Sequence, residues 1–120
     1  MTITFHADAV PATDLSERLL VPPSAEPLDG DVTVRSRVEF TTDDKKIISG
    51  IWECDPGASR WNFVDHGEII QVISGRMTVQ QDGEEATELT AGSSAYFPIG
   101  WSGVWTVTET LRKVYVVYKP

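Results

Sequence analysis

The sequence predicts an all-β protein built as an antiparallel sandwich or barrel. Apolar and polar residues alternate from Val32 to Phe40, and this period of two is typical of half-buried strands. Turn sequences follow, among them Asp55-Pro56-Gly57 and Asp82-Gly83, which favour tight reversals of the chain. Short strands between regularly spaced turns are typical of antiparallel barrels and sandwiches.

Nine strands are expected in the barrel region, which we place at residues 32–120. The expected strands are residues 32–40, 46–54, 60–64, 68–74, 76–81, 86–89, 94–97, 103–108 and 112–118.

Residues 1–31 are expected to form an N-terminal arm. Prolines interrupt the arm, and Asp29-Gly30-Asp31 ends it with a turn. Asp14 and Glu17 have the spacing of a capping box, which predicts a helix of at most two turns ending near Leu20. So short a helix is marginal alone. Its apolar side chains are therefore expected to bury against the barrel or a partner chain: Leu15, Leu19, Leu20 and Val21.

The charge balance excludes two classes of partner. Eighteen acidic and ten basic side chains give a formal net charge of −8. Nucleic acids and anionic membranes attract basic patches, so neither is an expected partner, and no apolar run is long enough to span a bilayer.

Cys54 is the single cysteine, so no intramolecular disulfide can form. With no signal-peptide pattern at the N-terminus, we expect a cytoplasmic protein.

Two spaced motifs suggest a family. Glu68 stands six residues before Gly75, and Gly92 is followed after five residues by Pro98-x-Gly100. These spacings resemble the two motifs of the cupin superfamily, which are small jelly-roll β-barrels of the RmlC-like type. Within it, about residues 45–118 resemble the ureidoglycine aminohydrolase-like and ethanolamine-utilisation-like small cupins, through Trp52-Glu53, Trp105 to Glu109, and Arg112-Lys113-Val114-Tyr115.

The resemblance implies a jelly-roll barrel, a homodimer and a possible divalent metal, but the metal-binding histidines of the motifs are missing. Trp61 and Phe63 stand where the first motif has His-x-His, or Asn62 and Val64 if the spacer is shorter. In the first of these registers, the resemblance implies that Trp61, Phe63 and Glu68 face the lumen, because a small barrel points alternate residues inward. Gly103 stands at the histidine of the second motif. Because a transition metal usually takes three or four protein ligands, we expect no tightly held metal. Were one present, its ligands would be Glu68, His66 and Asp65.

Glu68 is the candidate catalytic residue, with two interpretations. It is either a pocket acid with a raised pKa, suited to general acid or base chemistry, or a structural carboxylate paired with Lys113, Arg112 or a tyrosine. The tryptophans either fill the core or wall a pocket, and Lys113 and Tyr115 face either the lumen or the outside. The candidate ligand-binding residues are Trp52, Trp61, Phe63, Glu68, Trp105, Lys113 and Tyr115.

Three functions remain open at this point. The first is a cupin that binds a small molecule in its lumen without a tightly held metal, since aromatic walls suit planar ligands. The second is a metal-dependent enzyme resembling the (S)-ureidoglycine aminohydrolase cupins. The third is a structural or regulatory dimer with a filled barrel.

Overall fold

The computed structural model describes residues 1–120 and contains nine strands and one short 3₁₀ turn, Ala12–Asp14. Every strand pairing is antiparallel, so the prediction of an all-β antiparallel jelly-roll barrel is confirmed. No helix of the structure has the length and apolar character needed to cross a membrane. The strands are β1 (Ser16–Leu19), β2 (Glu26–Pro27), β3 (Thr33–Thr41), β4 (Ile47–Cys54), β5 (Gly57–Asn62), β6 (Gly67–Gln81), β7 (Thr87–Thr90), β8 (Ser94–Phe97) and β9 (Ser102–Tyr118).

Strand β9 is the spine of the curled sheet. One edge of β9 pairs with β6 almost from end to end, from Gly67 opposite Tyr118 to Gln81 opposite Gly103. Its other edge pairs with β4 in the C-terminal half and with β5 in the N-terminal half. On the far side of β6 lie β8 and β7, again one for each half. The two halves of the barrel are therefore joined through two long strands.

Strands β6 and β9 each run through a point where the sequence suggested two separate strands. The register between them shifts at Val72, Ser74 and Arg76, and such bulges bend a strand and increase its twist. At the bend Gly75 has a φ of +89°, and a Cβ there would lie 2.1 Å from the carbonyl oxygen of Thr110. Only glycine fits this turn of the sheet.

The arm contains strands in place of the expected helix, so the helix prediction was wrong. After the 3₁₀ turn, β1 pairs with the edge of β3, and β2 pairs with β5. Extended backbone gains hydrogen bonds from these open edges, whereas a two-turn helix would have been marginal by itself. Leu15 and Leu20 are buried against the barrel, but Leu19 and Val21 remain 47% and 55% exposed.

The main core lies inside the barrel, and the residues expected to face the lumen do so. Trp61, Phe63 and Glu68 are all buried, as are Ile70 and Val72 on the same face of β6. A second, smaller apolar cluster lies on the outer face of the sheet, where Ala7 and Leu15 of the arm cover Ile51 of β4. The arm thus closes the outer side of β4.

An ion-pair network holds the arm to this outer face. Arg112 of β9 donates to Glu53 at 2.7 Å and to the carbonyl oxygens of Ala7 and Val10 at 2.7 and 2.5 Å. Glu53 also accepts from Arg35 at 2.8 Å. Burial raises the pKa of Glu53, but the two guanidinium groups outweigh burial and lower its pKa overall.

Candidate functional site

A cavity of about 610 Å³ opens between the arm and the lumen side of β4, β5, β6 and β9. Five of the seven expected ligand-binding residues line it: Trp52, Trp61, Glu68, Lys113 and Tyr115. Phe63 and Trp105 do not line the cavity. They are 2% and 1% exposed and belong to the packed barrel interior beneath it.

The base of the cavity carries a buried ion pair. Glu68 is near the start of β6 and Lys113 is in the second half of β9, on the adjacent strand. Lys113 Nζ donates to Glu68 Oε2 at 2.7 Å, and the two residues are 2% and 5% exposed. Glu68 therefore has the lysine partner that the structural interpretation requires, and it also faces the cavity.

Two indole rings surround the ammonium group. Lys113 Nζ lies 4.3 Å from the ring centroids of both Trp52 and Trp105, a distance at which the ring face attracts a cation. Burial lowers the pKa of Lys113, and the negative charge of Glu68 opposes that shift. Burial together with Glu68 raises the pKa of Tyr115 on the same strand. The charged lysine is thus held in an apolar surrounding by one carboxylate and two aromatic faces.

Stacked aromatic rings make the floor below the pair. Trp61 stacks on Trp105 with centroids 4.0 Å apart, and Phe63 stacks on Phe97 with centroids 5.6 Å apart. Trp52 packs edge to face on Trp61, with ring centroids 6.0 Å apart. Trp52 and Trp61 therefore wall the cavity, while Phe63 and Trp105 fill the core.

The alternative metal ligands lie on the exposed rim. His66 Nδ1 and Asp65 Oδ1 are 2.8 Å apart, with side-chain exposures of 33% and 83%, and the hydrogen bond to His66 lowers the pKa of Asp65. No group of three or more His, Cys, Asp or Glu side chains is arranged to hold a metal ion.

The donor set does not fit the metal site of the family motifs. Glu68 faces an ammonium group, and Trp61 and Phe63 offer aromatic carbon at the His-x-His positions. At the third position, a Cβ on Gly103 would lie 2.3 Å from the carbonyl oxygen of Gln80, so no side chain can enter there without movement of the backbone.

Residues of the arm complete the cavity, and sequence reasoning missed them. Arg18, Leu20, Pro23 and Ser24 line the wall opposite the barrel. Arg18 Nη1 donates to Ser36 Oγ at 2.7 Å, across the pairing of β1 with β3. No local pattern marks Arg18, because its position depends on the pairing of β1 with β3.

A curled antiparallel barrel with a cavity in its lumen is typical of a cupin. The chain belongs to the family of EutQ-like cupin domains, whose family model matches residues 41–115. This confirms the expected cupin of the ethanolamine-utilisation-like type. The resemblance to ureidoglycine aminohydrolase-like cupins remains a prediction.

Solved structures show the same fold. The Clostridium difficile EutQ protein is 24% identical with a TM-score of 0.64, covering 73% of this chain and 64% of its own. The Salmonella typhimurium ethanolamine utilisation protein Q is 23% identical with a TM-score of 0.61, covering 75% and 71%. Ectoine synthase from P. lautus is 18% identical with a TM-score of 0.67, covering 79% and 70%.

This chain therefore spans less than two thirds of the C. difficile protein. No curated protein sequence matches it significantly. At these identities the solved structures establish the fold alone.

Proposed function

We propose that this cupin binds a small planar molecule in its barrel cavity, without a tightly held metal. The observation that carries the proposal is the buried Glu68–Lys113 pair, which lies at the base of an open cavity and not within a filled barrel. A volume of about 610 Å³ is within the usual range for small-molecule sites. The filled-barrel alternative requires no such space.

The walls of the cavity suit a flat, partly apolar ligand. Trp52 and Trp61 offer aromatic surface, and Glu68, Lys113 and Tyr115 offer a few polar atoms among them. Ligand sites typically combine apolar walls with a small number of placed polar groups. Lys113 places its side-chain nitrogen 2.7 Å from Glu68 Oε2, so the carboxylate that a metal ion would need already has a partner.

Titration calorimetry with benzoate and benzamide tests the binding proposal. We expect at least one probe to bind saturably at one site per chain. The variant Ser24→Trp, which places a large ring at the cavity wall, should abolish binding, whereas Ala86→Trp on an exposed loop should not. Absence of saturable binding by benzoate, benzamide and the related anion phenylphosphonate would contradict the proposal.

Metal analysis tests the second half of the proposal. Protein purified without chelator or affinity nickel should contain far less than one equivalent of zinc, manganese, iron or nickel. Stoichiometric metal that disappears in Glu68→Gln would favour the metal-dependent enzyme instead, with His66 and Asp65 as the next residues to test. No specific observation favours that enzyme at present.

We also propose that the protein forms a homodimer through the outer face of β8, β6 and β9. Ile69 is the register partner of both Tyr96 and Val116, so the three side chains form one apolar row on that face. Ile69 and Tyr96 are 48% and 58% exposed, and contiguous exposed apolar surface commonly marks a protein interface. A second copy related by two-fold symmetry would bury the same row on both chains.

A further inference from the structure

Charge is distributed unevenly between this cavity and the rest of the molecule. The chain has a net charge of −8, yet the cavity is lined by three cationic side chains and two carboxylates: Arg18, Lys113, Lys119, Asp65 and Glu68. Both carboxylates already have partners, since Glu68 accepts from Lys113 and Asp65 contacts His66. The lining therefore has one more cationic side chain than carboxylates, and Arg18 is a cation of the lining that no carboxylate contacts.

Arg18 differs from the other arginines of the protein. The remaining five each form an ion pair with a carboxylate, namely Arg35, Arg37, Arg60, Arg76 and Arg112. Arg18 forms none, although acidic side chains outnumber basic ones by 18 to 10. Its guanidinium group donates instead to the neutral hydroxyl of Ser36, at 2.7 Å, and Ser36 lines the same cavity.

An unpaired guanidinium at a cavity wall is suited to an incoming anion. The planar fork of arginine matches the two oxygens of a carboxylate or phosphate, and such charge-assisted hydrogen bonds are stronger than neutral ones. Arg18 lies on the exposed arm, while Glu68 and Lys113 are buried at the base. A ligand could therefore place a flat ring against Trp52 or Trp61 and keep its charged group near Arg18.

We propose that the ligand of this cavity is a small planar anion, carrying a carboxylate or phosphate group that Arg18 binds at the mouth. This rests on the proposed function, because it names the chemical class of molecule that the same cavity accepts. It also assigns a role to the arm, which supplies the residue that selects for charge. Ser36 acts as a positioning residue, since it holds the guanidinium by a hydrogen bond.

Three probes of the same ring size separate charge from shape: benzoate, phenylphosphonate and the neutral benzamide. We expect at least one of the two anions to bind about tenfold or more tightly than benzamide, as a charge-assisted hydrogen bond would provide. The stronger of the two anions identifies the charged group. Raised salt should weaken binding of the anion and leave binding of benzamide unchanged.

Four variants test whether Arg18 causes the preference for anions. Arg18→Gln should remove the preference for the anions, and Arg18→Lys should restore part of it because it retains the charge without the fork. Ser36→Ala should weaken anion binding less than Arg18→Gln does. Lys45→Gln removes the same charge from an exposed turn away from the cavity lining and should change nothing. Thermal melting of each variant checks that the fold is retained.

The outcomes separate the two proposals. Equal binding of benzamide and both anions, or an anion preference that survives in Arg18→Gln, would overturn this inference and leave the proposed function standing. Binding by none of the three probes would overturn both.

Discussion

Lys113 has the lowest exposure of any charged residue in the protein, and its ammonium group contacts one carboxylate and two indole rings. Removing two charges from water costs several kcal/mol per ion, and only good geometry repays that cost. Loss of one partner alone is more harmful than loss of both, because it leaves the other charge buried and uncompensated. The pair is therefore structural as well as a possible ligand contact.

We predict that Glu68→Gln lowers the free energy of unfolding by about 3 kcal/mol or more, which corresponds to a fall in Tm of about 10 °C in a domain of this size. The double variant Glu68→Leu/Lys113→Met should recover much of that loss, since it leaves no buried charge. Chemical denaturation of the single and double variants checks this. Additive losses in the double variant would show that the two residues do not act as a pair.

Cys54 is a second buried group whose chemistry follows from its surroundings. It is 1% exposed, and burial raises its pKa to about 12. Because the thiolate is the reactive form, we predict that native protein resists iodoacetamide at pH 8, whereas urea-unfolded protein reacts at once. Mass spectrometry of the alkylated protein measures this. Rapid labelling of the native protein would contradict the buried placement of the thiol.

At the scale of elements, the arm depends on Arg112, which connects β9 and Glu53 to the carbonyl oxygens of Ala7 and Val10. We predict that Arg112→Lys loosens residues 1–15 while the barrel stays folded, because an ammonium group cannot reach all three acceptors in the same geometry. Hydrogen exchange should rise in the arm and not in β6. The surface variant Arg76→Lys serves as the control.

Low pH should also weaken the attachment of the N-terminal arm. The pKa of Glu53 is lower in the folded protein than its ordinary value of 4.5. Ionised Glu53 therefore contributes stability that is fully present above the pKa that Glu53 has in the unfolded chain. This stability is lost as the pH falls through the lower pKa of Glu53 in the folded protein. We predict that protection of the arm amides, measured relative to their intrinsic exchange rate at each pH, falls as the pH is lowered below about 4.5. Arm protection that does not change down to pH 3 would show that Glu53 does not secure the arm.

At the scale of the whole molecule, the outer row of Ile69, Tyr96 and Val116 predicts the oligomeric state. Light scattering should give twice the chain mass of 13.3 kDa for the unaltered protein. Ile69→Lys should give the mass of a single chain, because a charge in the centre of an apolar interface is costly to desolvate. Leu28→Lys, at a 48% exposed position of the arm, should leave the dimer intact. A monomer at micromolar concentration would reject the dimer.

Local patterns were enough to predict the architecture and the inward-facing residues. The register of the family motifs placed Trp61, Phe63 and Glu68 in the lumen, because alternate residues of a barrel strand point inward. Motif spacing pointed to the glycine now seen at the bend between the barrel halves. The helix in the arm was wrong because a capping signal is local, whereas the open edge of β3 is a distant partner that the signal cannot represent.

The sequence by itself therefore determined the all-β class, the lumen face and the loss of the motif histidines, since each of these follows from patterns and spacing along the chain. The spatial order of the strands was decided by their pairing. Only the tertiary structure decided how the aromatic residues divide between core and cavity. Phe63 and Trp105 pack in the core beneath the cavity, whereas Trp52 and Trp61 line its wall. It also decided that Glu68 pairs with Lys113 and that Arg18 joins the cavity. These contacts join residues 45 and 18 positions apart in the chain, and such contacts exist only after the strands have paired.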